Sequence, residues 1–146
     1  MHYKIHSIPE EDDNGKSLYC GPSVFCALTG KTPEQIYRAV NRTRPYHSGV
    51  EAVESMWGHE VQPILKRLGL HPKEFRPDNR TTLRRLAEDM EFVPKPFAVL
   101  VTGHFVLLYK GKIYDSLTRE GCPFIEHPSK KQKVQRYWEI NKRWKS

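Results

Sequence analysis

The spacing of apolar residues changes once along this chain, and that change limits the folds available to it. Up to Met90 the apolar side chains recur every three or four residues, as on one face of an amphipathic helix. From Phe97 onward they form short runs separated by Thr102-Gly103 and Lys110-Gly111, which is typical of antiparallel strands joined by tight turns. Helices followed by an antiparallel sheet predict an α+β fold.

Start and stop signals divide the first part of the chain into four predicted helices. Pro22 suits a first helical turn, because its φ is fixed near helical values and its missing N–H would have no partner there. Thr32 and Gln35 form a capping-box pattern before the second helix. Gly30 and Gly69 are stop signals. The predicted helices cover residues 20–29, 33–40, 60–68 and 83–90, with irregular chain over 1–19, a polar loop over 41–49 and an ambiguous segment over 50–57.

The second part of the chain predicts four strands. They cover residues 97–101, 104–109, 112–115 and 134–140. In the last strand the alternation of apolar and polar residues predicts one shared face for Val134, Arg136, Trp138 and Ile140. Trp138 is therefore expected in the core of the protein.

The length of the chain predicts one small domain, and its cysteine content predicts a reducing compartment. The chain has 146 residues, 38% of them hydrophobic, so we expect one domain over residues 1–146. It has no apolar run long enough to span a membrane, and Met1-His2-Tyr3-Lys4 begins no apolar signal stretch. Three cysteines without a C-x-x-C pair argue against a disulfide framework or a zinc knuckle. We therefore expect a cytoplasmic protein without membrane association, and the sequence leaves its oligomeric state open.

The net charge of +7 is concentrated near the C-terminus. Residues 128–146 carry seven Lys or Arg and one acid, Glu139. Together with Tyr137, Trp138 and Trp144, these charges would suit binding to RNA, DNA or an acidic protein partner. A solvated surface explains the same charges, and we favour that interpretation.

Cys20 stands where a polar loop becomes an apolar helix. Unpaired N–H groups and the positive end of the helix dipole at such a position favour a thiolate over a thiol. A cysteine in these surroundings is a candidate nucleophile that needs only a base. Taken alone, Cys20 fits a buried structural cysteine better, so the nucleophile hypothesis depends on residues farther along the chain.

A histidine and an aspartate lie at the two ends of one predicted hairpin. His104 begins a strand, the Lys110-Gly111 turn reverses the chain, and Asp115 ends the next strand. Folding of the hairpin makes the two side chains near neighbours. A carboxylate beside an imidazole fixes its tautomer and stabilises its protonated form, as a thiol-activating base requires.

Asn14 completes the set of candidate site residues. It lies six residues before Cys20, on the loop that enters the helix. Its side-chain amide and the Cys20 backbone N–H are candidate donors to an oxyanion. The sequence therefore offers a nucleophile, a base, an orienting carboxylate and an oxyanion donor, which are Cys20, His104, Asp115 and Asn14.

These residues resemble the papain-like cysteine peptidase superfamily. The matching motifs are Cys20-Gly21-Pro22-Ser23 before an apolar helix, Gly103-His104-Phe105-Val106-Leu107, and Tyr114-Asp115-Ser116. They are closest to the compact branch typified by bacteriocin-processing (double-glycine) peptidases. The resemblance implies a papain-like fold, hydrolysis of a peptide or other amide bond, and no metal or other cofactor. It assigns Cys20 as the nucleophile, His104 as the base and Asp115 as the orienting residue.

Two features differ from that family's pattern. The oxyanion residue of the superfamily is usually Gln, whereas Asn14, one methylene shorter, stands at the matching position. No transporter or membrane segment accompanies the motifs, so the resemblance does not extend to a double-glycine leader as substrate. Small size and high charge would suit a phage or mobile-element protein.

The same residues are compatible with more than one function. The acyl acceptor decides between a hydrolase and a transpeptidase, and isopeptidase or deamidase activity would use the same groups. The alternative from another class is a catalytically silent domain of the same fold that binds nucleic acid or an acidic partner through the basic tail. A zinc site of Cys20, His104 and Asp115 lacks paired-ligand spacing. Of the other cysteines, Cys26 is expected in the core and Cys122 in an exposed loop.

Overall fold

Four helices and six strands make up the part of the chain that the structure, a computed structural model, describes: residues 3–44, 53 and 56–142. The helices are α1 (Cys20–Thr29), α2 (Pro33–Thr43), α3 (Gly58–Arg67) and α4 (Leu83–Met90). The strands are β1 (Leu70–Phe75), β2 (Phe97–Val101), β3 (His104–Tyr109), β4 (Lys112–Tyr114), β5 (Cys122–Pro123) and β6 (Val134–Lys142), with a 3-10 turn, Phe124–Glu126, after β5. None of the helices in these ranges has the length and apolar character needed to cross a bilayer.

All six strands form one antiparallel sheet in the order β1-β6-β2-β3-β4-β5. Helices α1, α2 and α3 pack on one face of the sheet, over Phe105, Trp138 and Ile140. Helix α4 packs on the other face, over Val106 and Val134. The predicted α+β class is confirmed, and so is the prediction that Trp138 lies in the core, where it is fully buried.

Helix α1 begins at Cys20, as predicted, and is buried along most of its length. Tyr19 is extended, and its carbonyl oxygen accepts a hydrogen bond of 2.8 Å from Ser23 Oγ. Residues 21–28 are all buried, because α1 packs against both β3 and α2. Gly30 ends the helix with a φ of 73°, a left-handed conformation that glycine adopts without steric cost.

Helix α2 starts where it is predicted to start but ends later. The capping box is present: Thr32 Oγ1 accepts from Gln35 N–H at 3.3 Å, and Gln35 Oε1 accepts from Thr32 N–H at 2.9 Å. The predicted polar loop is wrong over its first residues, because α2 continues to Thr43. Asn41 is buried, so packing extends the helix through polar sequence. Residues 45–49 of the predicted loop lie outside the described residues.

Helices α3 and α4 agree with their predicted ranges to within two residues. Helix α3 begins at Gly58, and Thr82 caps α4 with its side chain. Of the ambiguous segment 50–57, the structure describes Val53 and residues 56–57.

Strand β1 is not predicted by the sequence. It pairs with β6, with Leu70 opposite Lys142 and Phe75 opposite Tyr137. It lies at an edge of the sheet, where Pro72 is tolerated because one side of the strand needs no N–H donor. Its residues alternate only between exposed and half-buried, so they lack the apolar alternation by which a strand is detected.

Strand β6 contains a β-bulge that the sequence does not reveal. Two adjacent residues of β2 pair with Val134 and Arg136, which leaves Gln135 as the extra residue. Val134 then packs on the α4 side of the sheet, whereas Trp138 packs on the α1 side. The prediction that Val134 and Trp138 share a face is therefore wrong, because one inserted residue reverses the alternation.

Candidate active site

The predicted nucleophile, Cys20, is partly buried at the first position of α1. Burial alone would raise the pKa of its thiol. Hydrogen bonds from the His104 side chain and from the backbone N–H groups of Phe105 and Gly21 outweigh burial, and the pKa of Cys20 is lowered. The unpaired N–H groups of the first helical turn favour the same charge state. Cys20 is therefore predisposed to be a thiolate.

The predicted neighbours His104 and Asp115 are in contact. Strands β3 and β4 pair in a register that sets Leu107 opposite Tyr114. Continuing that register by one residue sets Asp115 across from Val106, two residues along β3 from His104 and on the same side of the sheet. His104 Nε2 lies 2.9 Å from Asp115 Oδ2. The hairpin therefore forms the predicted imidazole–carboxylate pair.

His104 lies between Asp115 and Cys20 and contacts both. The hydrogen bond to Asp115, and then that to Cys20, raise the pKa of His104 to about 9 against the opposing effect of burial. Because Nε2 is engaged by Asp115, Nδ1 is the ring nitrogen left to face the thiol. The raised pKa of His104 and the lowered pKa of Cys20 together favour a thiolate–imidazolium pair near neutral pH.

The Asp115 carboxylate is buried and surrounded by hydrogen-bond donors. Oδ1 accepts from Leu117 N–H at 3.0 Å, from Thr118 N–H at 2.7 Å and from Thr118 Oγ1 at 2.7 Å. Oδ2 contacts the Nε2 atoms of His104 and His127. Burial alone would raise the pKa of Asp115, but the hydrogen bonds from His104, His127 and Thr118 hold it well below its usual range. Asp115 therefore stays ionised beside His104.

The sequence does not single out His127, although it is fully buried against Asp115. It follows the 3-10 turn after β5, and β5 folds back on β4 by pairing Cys122 with Ile113. Phe124 N–H donates to Gly111 O at 3.0 Å and anchors this return. Because the segment has no periodic pattern, no sequence signal places His127 in the site.

A cleft of about 380 Å³ opens beside the two candidate catalytic side chains, Cys20 and His104. Its walls come from the residues before and at the start of α3, from the β2–β3 turn and from the bulge in β6. Among the residues lining it are Met56, Trp57, Gly58, Leu100 and Gln135. The cleft therefore leaves open space beside Cys20.

Trp57 forms an exposed part of the cleft wall and contacts His59 and Arg44. Its side chain is 51% exposed, stacks on His59 at 6.0 Å between ring centroids, and lies 4.9 Å from the Arg44 guanidinium carbon. Arg44 is in turn paired with buried Glu60 at 2.8 Å, and Glu60 also accepts from Trp57 N–H at 3.0 Å. Trp57 is therefore an anchored apolar surface in the same cleft as Cys20 and His104.

Asn14 lies in the turn before α1 and not in the wall of the cleft. Its backbone N–H donates to Asp12 Oδ1 at 2.9 Å, and an isolated bridge between Glu11 and Ser17 closes the turn. Its side chain is exposed. The role of Asn14 as an oxyanion donor stays a prediction. Gln135, which the sequence does not single out, lines the cleft because the bulge redirects its side chain.

The other two cysteines lie in surroundings that disfavour a thiolate. Cys26 is fully buried in the core, as predicted, and burial followed by the charge of Glu34 raises its pKa to about 12. Cys122 is partly exposed, and burial together with nearby carboxylates raises its pKa. Cys20 is thus the cysteine whose surroundings lower the pKa.

A larger and more open depression, of about 800 Å³, lies between residues 5–8 and 117–122. Cys122 contributes to its wall, whereas Cys20, His104 and Asp115 do not. Size alone does not identify it as the functional site, because the surroundings of Cys122, burial first and then nearby carboxylates, raise the pKa of its thiol.

Part of the predicted basic tail lies outside the described residues, namely residues 143–146 with Trp144. Of the two other aromatic residues named with the tail, Trp138 is buried and Tyr137 stacks on Phe75 with 5.0 Å between ring centroids. Trp138 is therefore inaccessible to a nucleic-acid base, and one face of the Tyr137 ring is already covered by Phe75.

Metal ligation finds no support in the side-chain arrangement. Over residues 3–44, 53 and 56–142, no group of three or more His, Cys, Asp and Glu side chains is placed to hold a metal ion.

Comparisons of the chain with models of protein families, with curated proteins and with solved structures find no match.

Proposed function

We propose that the protein is a cysteine-dependent hydrolase of peptide or other amide bonds, with the papain-like fold that its motifs resemble. The observation that carries the proposal is the position of His104, which contacts the Asp115 carboxylate through Nε2 and the Cys20 thiol on its other side. A base held by a carboxylate next to a cysteine with a lowered pKa is the arrangement that thiol catalysis requires. The cleft beside Cys20 supplies room for a substrate chain.

The first half of the proposed reaction forms a thioester. The Cys20 proton passes to His104 Nδ1, and the thiolate attacks the carbonyl carbon of the amide. The tetrahedral intermediate collapses, the C–N bond breaks, and His104 returns the proton to the leaving amine. Asp115 stabilises the imidazolium in this step and keeps Nδ1 directed at the reacting atoms.

The second half releases the acyl group to water. His104, now neutral, takes a proton from water, and the resulting hydroxide oxygen attacks the thioester carbonyl. The C–S bond breaks, and the thiolate–imidazolium pair is restored with a carboxylic acid as product. An amine in place of water would give transpeptidation, and a side-chain amide as substrate would give deamidation or isopeptide cleavage.

Negative charge develops on the carbonyl oxygen in both halves. The backbone N–H of Cys20 belongs to the first turn of α1, whose N–H groups have no partner within the helix, so it is available as an oxyanion donor. The side chain of Asn14 is the second proposed donor. Gln135 in the cleft wall is a further amide that a substrate can meet.

The proposal is tested with a panel of peptidyl amides that release a fluorescent amine. We expect hydrolysis by the wild type and none above background for Cys20→Ala, because the attacking atom is lost. Cys122→Ala is the matched control, since it removes a thiol of similar exposure outside the cleft, and it should hydrolyse the panel at the wild-type rate.

His104→Ala should lose hydrolysis because the base is removed. It should also lower the free energy of unfolding, because the buried Asp115 carboxylate loses a hydrogen-bond donor, so circular dichroism is recorded to show that the variant is folded. Hydrolysis that survives in Cys20→Ala would contradict the proposal.

A further inference from the structure

His127 is a buried histidine to which the reaction described above gives no part. It is 1% exposed, and its Nε2 lies 2.8 Å from Asp115 Oδ2. The same oxygen contacts His104 Nε2 at 2.9 Å. One carboxylate oxygen thus lies between two imidazoles, of which only one faces the cleft.

The backbone determines which nitrogen of His127 carries the proton. Ser129 N–H donates to His127 Nδ1 at 3.0 Å, so Nδ1 is an acceptor and carries no hydrogen. The proton of the neutral ring then sits on Nε2, which points at Asp115. His127 therefore donates a hydrogen bond to Oδ2.

With this donor in place, both oxygens of the carboxylate are held. Oδ1 is engaged by Leu117 and Thr118, and Oδ2 accepts from His127 and from His104. The carboxylate cannot turn without breaking a hydrogen bond in a buried place, where an unmade bond is costly. The lone pair of Oδ2 that His127 does not use is fixed in space and sets the plane of the His104 ring.

We propose that His127 is a positioning residue of the active site, which holds Asp115 Oδ2 where that oxygen orients His104 toward Cys20. It acts through Asp115 and does not touch the reacting atoms. The inference rests on the proposed function, because the orientation of His104 matters only if Cys20 reacts. A purely structural histidine would contribute to folding and leave the reactivity of Cys20 unchanged.

Two substitutions separate these roles. His127→Phe keeps a ring of similar size and removes the donor, whereas His127→Gln keeps an N–H donor near the position of Nε2. The main measurement is the rate of alkylation of Cys20 by iodoacetamide as a function of pH, which needs no substrate. Urea unfolding of each variant reports on stability separately.

In His127→Phe we expect the alkylation profile of Cys20 to move to higher pH, because a less well oriented imidazolium stabilises the thiolate less. The kcat of amide hydrolysis should fall about ten- to a hundredfold, with KM close to the wild-type value, because a slightly misplaced catalytic group slows the reaction by such factors. His127→Gln should restore most of both quantities. An alkylation profile that is the same in wild type and in folded His127→Phe would overturn the positioning role.

The two proposals fail in different ways. A wild-type protein in which Cys20 is alkylated no faster than Cys122 overturns the proposed function and, with it, the role of His127. A reactive wild-type Cys20 that is indifferent to His127→Phe overturns the role of His127 alone. Should His127→Phe not fold, two-bond ¹⁵N correlation spectra of the wild type decide the matter, since a proton on Nδ1 of His127 would overturn the inference.

Discussion

At the scale of single residues, three cysteines in one chain have three different surroundings. Cys26 is enclosed by apolar side chains, and Cys122 is partly buried and lies near carboxylates, so the pKa of each is raised. Cys20 meets an imidazole and two backbone N–H groups, and its pKa is lowered. The difference in thiolate content follows from these contacts and is directly measurable.

We predict that iodoacetamide at about pH 6 modifies Cys20 well before Cys122 or Cys26, because the thiolate is the nucleophile. Mass spectrometry of tryptic peptides after short exposures gives the three rates. His104→Ala serves as the control, since loss of the imidazole should bring the rate at Cys20 down toward that at Cys122. Equal and slow labelling of all three cysteines in the wild type would contradict the prediction.

At alkaline pH, the rate of hydrolysis should reflect the deprotonation of His104. The pKa of His104 is about 9, and above it the ring has lost the proton that the leaving amine needs, so kcat/KM should fall as pH rises through that value. On the acid side kcat/KM should fall where Cys20 becomes protonated, below the usual range of a cysteine.

The variant Asp115→Asn tests whether His104 causes this fall of kcat/KM at high pH, the alkaline limb of the profile. Asp115 is the largest contribution to the raised pKa of His104, so its replacement should move the limb to lower pH and reduce kcat by about 10²- to 10⁴-fold. An alkaline limb at the same pH in wild type and variant would show that another group controls it.

The residues of the site differ in how far the sequence predicts them. His104 and Asp115 belong to one hairpin, so the turn and the alternation of strands suffice to bring them together. Cys20 is placed by helix-start signals. His127 reaches Asp115 only because the chain after β5 folds back on β4, and no local pattern encodes that return.

At the scale of elements, helices α1 and α3 are each followed by a glycine in a left-handed conformation, but the surroundings of the two glycines differ. Gly30 after α1 has a φ of 73°, and Gly69 after α3 has a φ of 85°. A Cβ added at Gly30 would lie 2.7 Å from His6 Nδ1, whereas one added at Gly69 would meet nothing within 4 Å. Substitution of each of these two glycines therefore separates the energetic cost of backbone strain from that of steric contact.

We predict that Gly69→Ala lowers the free energy of unfolding by about 1 kcal/mol, the cost of a left-handed conformation for a residue with a Cβ. Gly30→Ala should lower it further, to a total loss of about 2–3 kcal/mol, because the His6 ring must move as well. Urea unfolding of both variants gives the values. Equal losses at the two positions would show that the His6 ring gives way without cost.

Element boundaries were predictable where a cap or turn marks them. Thr32 and Gly30 mark real ends of helices, and the glycine-containing turns mark the β2–β3–β4 hairpins. Two features of the sheet carry no such mark. Edge strand β1 consists of exposed and half-buried residues without apolar alternation, and the bulge at Gln135 adds one residue without a signal in the sequence. Both affect the cleft or its supporting sheet, and both follow from pairing between distant segments.

At the scale of the whole molecule, a role of the basic C-terminal residues in binding can be tested separately from the candidate active site. Removal of residues 143–146 deletes two basic residues, Arg143 and Lys145, and leaves the pairing of β6 with β1 complete through Lys142. We predict unchanged hydrolysis of a small neutral amide. Any binding to DNA should weaken, and the slope of its salt dependence should fall by about one for each phosphate that the truncated protein no longer neutralises.

The truncated protein and Cys20→Ala are both assayed for hydrolysis and for binding to DNA at several salt concentrations. Binding that depends on residues 143–146 and not on Cys20, with no hydrolysis of any amide tested, would favour the binding module over the enzyme.

The burial of α1 has a consequence for how such a protein can evolve. Residues 21–28 are all buried, and the backbone N–H groups of residues 23–28 are hydrogen-bonded as well, so these amide hydrogens should exchange with solvent only when the whole molecule unfolds. The helix that presents Cys20 is therefore nearly closed to substitution. Two other residues that line the cleft, Trp57 and the bulge residue Gln135, are exposed, and their side chains can change without repacking the core. In the proposed hydrolase, mutation of that wall would change the substrates accepted, while the helix that carries the proposed nucleophile stays constant.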